Sequence, residues 1–310
     1  MSRLSLRLSL GALLVALTLV GCDDGGLTGP DPLQTAAPEG DAFAALLDDQ
    51  IDADASEDVA DAAAFAASAG EAIQAITGPT VITESGVYAV AQDFSLPAGT
   101  AADAIVIEAD GVFLDLGTHT LTGPGNKLGR GVVVEGARRV VVRGGTLETF
   151  GVGVALSGSV RVAVTGVEVV GGDEFADPPN GIPPQIGVLL VNSRGSRVFG
   201  NQTTDTNLGL FVRGPGSMSN YLIGNSATAG AFGLLGICYN PAPDTTDPEG
   251  PSGDRVQGNL LNGFGVGIQV SEGSANNLFV ENAIYYLDAA WEDANGSNTF
   301  LRNLTFQLTG

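Results

Sequence analysis

Apolar and polar positions alternate along this chain in short bursts, and the bursts return at a fixed distance. From Gly131 to Asp293 each burst opens on a glycine: Gly131-Val-Val-Val, Gly153-Val-Ala-Leu, Gly187-Val-Leu-Leu, Gly209-Leu-Phe-Val, Gly233-Leu-Leu-Gly, Gly267-Ile-Gln-Val and a degenerate Ala289-Ala-Trp-Glu. The successive spacings are 22, 34, 22, 24, 34 and 22 residues, so the period is 22 and each 34 adds a 12-residue insertion. Two-residue alternation places successive side chains on opposite faces of a strand. A period this short, in sequence rich in β-branched residues, predicts a solenoid built from strands. The insertions fall at Gly171 to Gln185 and near Cys238 to Gly253.

A second marker trails each leading glycine by about 14 residues: Ser196-x-Val198-x-x-Asn201, Asn220-x-Leu222-x-x-Asn225, Asp254-x-Val256-x-x-Asn259, Asn277-x-Phe279-x-x-Asn282 and Asn298-x-Phe300-x-x-Asn303. The apolar residue between the two polar ones is assigned to the core. The recurring asparagine predicts a corner in which it adopts a left-handed turn conformation and hydrogen-bonds its own copy one rung away. Upstream, Val81-Ile82, Gly86 to Val90, Ala104 to Ile107 and Val112 to Leu116 read as shorter, irregular rungs. Before them, Phe43, Leu46, Leu47 and Ile51 lie at helical spacing, and Ser68-Ala-Gly-Glu71 has the form of a capping box ahead of Ala72 to Ile76. These signals predict a short α-helical cap over 41–78, laid across the open edges of the first rung and stopped by Gly78-Pro79.

Composition narrows the picture. The chain has 310 residues, 44% of them hydrophobic, with 45 glycines and 15% charged residues, which suits tight repeated turns and one elongated, monomeric domain over 79–310. Its net charge is −22, and no Lys or Arg lies between Arg7 and Lys127. That balance argues against nucleic acid or anionic lipid as a partner, because both need a basic footprint. Residues 1–22 read as an export signal, with Arg3 and Arg7 ahead of the apolar run Leu8 to Val20. Leu19-Val20-Gly21-Cys22 resembles the lipobox of bacterial lipoproteins, which implies lipidation at Cys22 and an exported, lipid-anchored protein of the bacterial cell envelope. Asp23 to Gly40 lacks apolar periodicity and reads as a flexible acidic tether. Cys238 is the one cysteine besides Cys22, and His119 the one histidine, so neither a stapling disulfide nor a Cys/His dyad finds support.

The glycine-led rungs, the Asn-x-apolar-x-x-Asn marker and the lead-in Ile82-Thr-Glu-Ser-Gly-Val-Tyr88 resemble right-handed parallel β-helix proteins of the pectate-lyase-like superfamily, over about Thr80 to Gln307. That resemblance implies an all-β, right-handed parallel β-helix. It leaves function open, since the superfamily holds lyases, hydrolases, epimerases, adhesins and accessory proteins.

Candidate chemistry gathers where the period breaks, because long excursions from a regular scaffold tend to carry binding sites. If Val188, Leu190, Leu210, Val212, Leu234, Ile268 and Val270 point inward, then Leu189, Phe211, Arg213, Leu235, Gln269 and Trp291 point outward. Phe211, Gln269, Trp291 and Tyr239 then offer a floor on which a polysaccharide stacks. Asp173, Glu174 and Asp177 in the first insertion, with Asp244 and Asp247 in the second, supply hard oxygen ligands of the kind Ca²⁺ takes. Polysaccharide lyases of the superfamily use a basic side chain as base and carboxylate-held Ca²⁺ to acidify a uronate, and Arg213 resembles that base in kind and placement. Three functions stay open: a lyase-like enzyme, a non-catalytic glycan-binding module, and a structural or adhesive solenoid.

Overall fold

The computed structural model describes residues 73–125, 127–172, 185–230, 233–240, 249–294 and 296–308. Among them are 24 strands, all in parallel pairs, and no helix. Each turn of this parallel β-solenoid contributes a strand to each of three faces. Ile186–Val191 lies on a long-strand face, Arg197–Phe199 on a short-strand face and Gln202–Thr206 on a third. In the next turn Leu208–Arg213, Tyr221–Ile223 and Ser226–Ala229 pair with them in the same order. Residues from all three faces, among them Val188, Val198, Leu210, Leu222, Ile237, Val256 and Phe279, fill one continuous interior.

The rung glycines are explained by close approach. A Cβ on Gly131, Gly153, Gly187, Gly209, Gly236 or Gly267 would stand 2.5–2.7 Å from the carbonyl oxygen of the residue that follows in the same stack, namely Gly153, Gly187, Gly209, Gly236, Gly267 and Ala290. Contacts that short exclude any side chain. The stack also corrects the fifth burst: its rung glycine is Gly236, not Gly233, and the last position is Ala290, not Ala289. A three-residue slip exchanges inside and outside, because strand faces alternate with period two.

The asparagines stack as expected. Each of Asn201, Asn225, Asn259 and Asn282 donates from both its backbone N–H and its Nδ2 to Oδ1 of the next, ending on Asn303, at 2.9–3.1 Å. Each Nδ2 also reaches a backbone carbonyl, as in Asn259 to Leu222 at 2.9 Å. The left-handed backbone, however, belongs to the residue before each asparagine: Gly200, Gly224, Gly258, Glu281 and Arg302. The turn is thus made one position earlier, and the asparagine closes it.

The α-helical cap is not found. In the described part of 41–78, Gln74–Ile76 is a strand paired in parallel with Tyr88–Val90, and its Ile76 enters the core. Backbone groups along Tyr88–Val90 offer three residues a ready ladder, and that tertiary pairing overrides the capping-box signal. Residues 1–72, including the export signal, Cys22 and the acidic tether, lie outside the described residues.

Candidate functional site

The expected site residues separate on the long-strand face. Leu189, Phe211, Cys238 and Gln269 form one outward column at successive rungs. Phe211 is 6% and Cys238 2% exposed, packed with Ile186 and Leu208 in an apolar cluster distinct from the interior. Arg213 ends its strand between Val191 and Asn240, half-buried. Gln269 donates from Nε2 to Glu292 at 2.8 Å. Tyr239 points into the core and is fully buried, a consequence of the Gly236 phase. Trp291 falls in the inward column of Ile268, 41% exposed, and stacks on Phe300 with ring centroids 5.2 Å apart. Asp173, Glu174, Asp177, Asp244 and Asp247 lie outside the described residues. Among the described residues no group of three or more His, Cys, Asp or Glu side chains could hold a metal ion. His119 pairs through Nδ1 with Asp93 at 3.0 Å. The Thr120 backbone N–H and then His119 hold the Asp93 carboxyl below the usual carboxylate range.

The open recess lies on the short-strand face. Val87, Phe113, Val141 and Ala163 stand in register on four successive rungs. Their chain neighbours Tyr88, Leu114, Val142 and Val164 face inward, so these four face out and form an apolar strip of their own. Phe113, Val141 and Ala163 of this strip floor a surface groove of about 650 Å³ whose lining includes Arg139, Arg161 and Arg197. Rungs are spaced by roughly 4.8 Å, so arginines meet the groove on three successive rungs. Arg197 continues the column beyond Ala163, lies 5.8 Å from the Tyr221 ring, and is followed by Arg255. Arg143 stands 4.9 Å over Phe113, held by Asp115 at 2.7 Å.

Arg139 and Arg161 occupy the turn before their short strands in left-handed backbone, with φ of 54° and 55°. Later rungs place Gly195, Ser219, Gly253 and Asn276 there, all with positive φ. A left-handed non-glycine residue costs about 1–2 kcal/mol, and of the four rungs that bear one here, two use it to carry a guanidinium at the groove. Arg139, Arg161 and Arg194 are exposed, and among the described residues none has a carboxylate within ion-pair distance. Asp110 also lines the groove, but its Oδ1 accepts the Arg138 backbone N–H at 2.8 Å. Seven of the 13 Lys and Arg residues, Arg138, Arg139, Arg143, Arg161, Arg194, Arg197 and Arg255, sit in or beside the short-strand columns. Within a chain of net charge −22 these arginines form a basic strip among the described residues.

No protein-family model matches the chain, and no curated protein matches it. Solved structures do. The Dettilon tailspike protein superposes with a TM-score of 0.52 at 14% identity over 76% of this chain. An alginate lyase from a Paenibacillus species gives 0.43 at 13% identity, over 70% of this chain and 99% of its own. A tailspike of E. coli bacteriophage HK620, solved with a hexasaccharide, gives 0.43 at 12% identity, over 79% of this chain and 58% of its own. The chain spans about half the length of the Dettilon tailspike, 55%. The likeness to the Dettilon tailspike is one of fold, in keeping with the parallel β-solenoid that the strand pairing shows.

Proposed function

We propose that this solenoid binds an acidic polysaccharide in the groove of its short-strand face. The observation that carries the reading is the row of arginines over an apolar strip on successive rungs. Guanidinium groups bind carboxylate and sulfate through paired, charge-assisted hydrogen bonds, and the strip of Phe113, Val141 and Ala163 suits the apolar face of a sugar ring. A rung spacing of roughly 4.8 Å approximates the length of one sugar in an extended chain, which sets one charge per sugar against one arginine per rung. A nucleic-acid duplex fits less well, because its denser charge would meet the acidic remainder of the surface.

Titration of the purified protein with a polyuronate, a neutral glucan and duplex DNA tests the reading. Polyuronate is expected to bind, the glucan at least tenfold more weakly, with polyuronate affinity falling as salt screens the arginines. Binding of DNA alone, or equal affinity for both glycans, would overturn it. Arg213 lies on the long-strand face and outside this groove, so a lyase step with Arg213 as base and Ca²⁺ held by the two insertions, proposed from the resemblance, is a separate site's reading and not part of this one. Formation of unsaturated product from polyuronate with Ca²⁺ is its test, and no product would sink it. We also propose that a lipid on Cys22 tethers the solenoid to the bacterial envelope. Cys22→Ser is expected to move the protein from the membrane pellet to the soluble fraction, and continued sedimentation would dismiss that anchor.

A further inference from the structure

A second polar ladder runs beside the asparagine stack, made of Ser196, Asn220, Asp254, Asn277 and Asn298. Its asparagines each work in two directions. Oδ1 accepts the backbone N–H of the preceding member, as Asn220 does from Ser196 at 2.9 Å and Asn277 from Asp254 at 3.0 Å. Nδ2 reaches back to a backbone carbonyl: Asn220 to Ser193 at 2.9 Å, Asn277 to Pro251 at 3.1 Å and Asn298 to Ser274 at 3.0 Å.

Asp254 performs only the first of these. Its Oδ1 accepts from the Asn220 backbone N–H at 2.7 Å and from Asn220 Nδ2 at 3.3 Å. Where the neighbours present Nδ2, Asp254 presents Oδ2, and by the same register the carbonyl facing it is that of Ser217. Oδ2 is buried with no hydrogen-bond partner of good geometry. Among the described residues the one ionisable group that faces it is the Tyr239 hydroxyl, from the long strand Leu235–Asn240, itself buried and equally without such a bond. The adjoining rungs bring Asn220 and Asn277, both uncharged, and Arg255 points outward, its Nε on Gln257 at 2.9 Å. A carboxylate there would set a buried negative charge against an acceptor, while a carboxylic acid would restore the missing donor.

We infer that Asp254 is held as the neutral acid in the folded solenoid, its Oδ2–H donating where the neighbouring asparagines use Nδ2, so that the ladder contains one proton-dependent joint. Burial, the largest cause, pushes the carboxyl up to about 7 from 3.8, against the Asn220 donors and Tyr239, which lower it. The folded form therefore holds a proton that the unfolded chain has released. The destabilisation is absent below about pH 4, grows as pH rises, and is complete above about pH 7.

Thermal unfolding of the full chain and of Asp254→Asn across this range tests the inference. Melting temperatures are expected to agree within about 2 °C near pH 4, with the variant ahead by about 10 °C near pH 8. An offset that stays the same at every pH would overturn it. A readout that does not depend on the variant folding is the carboxyl carbon resonance of Asp254 in the unmodified protein. It is expected to titrate near 7, and to move higher in Tyr239→Phe, which removes a donor to the charged form. Titration near pH 4 would show an ordinary carboxylate and end the proposal.

Discussion

Asn259→Leu is expected to destabilise the solenoid by about 5 kcal/mol. Asn259 Oδ1 accepts the Asn225 backbone N–H at 2.9 Å and Asn225 Nδ2 at 3.0 Å, while its own Nδ2 donates to the Leu222 carbonyl and to Asn282 Oδ1, both at 2.9 Å. A leucine leaves the Asn225 backbone N–H buried without its acceptor and takes one bond each from Asn225 Nδ2, the Leu222 carbonyl and Asn282 Oδ1. Asn225 Nδ2 keeps the Val198 carbonyl, and Asn282 Oδ1 keeps the backbone N–H of residue 259. Each loss costs about 1–3 kcal/mol before the rungs relax. Asn303→Leu, at the end of the same ladder, is the control. Asn303 accepts from Asn282 and donates to the Phe279 carbonyl at 3.0 Å but lies partly exposed, so water replaces much of what is lost. Its expected cost is about 1–2 kcal/mol. Denaturant unfolding of both variants decides the matter, and equal losses at the two positions would show that the ladder is not the corner's main support.

The second large effect concerns binding. Arg139→Glu with Arg161→Glu is expected to weaken polyuronate binding at low salt at least 100-fold, since two charge-assisted contacts of about 1.5–3 kcal/mol each are lost and two repulsions gained. Arg139→Gly with Arg161→Gly separates recognition from folding. Glycine takes the left-handed turn without strain but enlarges the unfolded ensemble, so stability is expected to stay within about 1 kcal/mol while binding falls about tenfold or more. Affinity unchanged within about threefold in both pairs would remove these arginines from the site.

The periodic part of this fold was legible because strand alternation and rung length are both written in apolar positions. Val188, Leu190, Leu210 and Val212 went inward as the alternation required, and the asparagine stacks followed from spacing alone. The phase of the fifth burst is ambiguous in sequence because Gly233-Leu-Leu-Gly236 contains two glycines three residues apart. Only the approach of the Gly209 backbone to the Gly236 carbonyl distinguishes them. That slip placed Tyr239 on a binding floor although it fills the core. The cap was misread because a capping box is a local signal, whereas an open strand edge is a tertiary one.

The basic groove was hidden by summation. A total of −22 argued against any basic footprint, yet charge acts locally and the arginines converge only when the chain is wound. One signal is present in the sequence: Arg139 and Arg161 are 22 residues apart, one period, at the turn position that later rungs give to the small or turn-forming Gly195, Ser219, Gly253 and Asn276. A long charged residue repeated where small or turn-forming residues otherwise stand points to a role outside folding. The long-strand face drew attention because Phe211 and Arg213 alternate outward there, but alternation does not reveal that Phe211 is covered.

The most direct test of the account is a crystal structure of the protein soaked with an oligouronate. The account predicts the chain lying along the solenoid axis on the short-strand face, carboxylates against Arg139 and Arg161 and a sugar face on Phe113 or Val141. An oligouronate seated instead on the long-strand face beside Arg213 and Gln269, with the arginine groove empty, would contradict it.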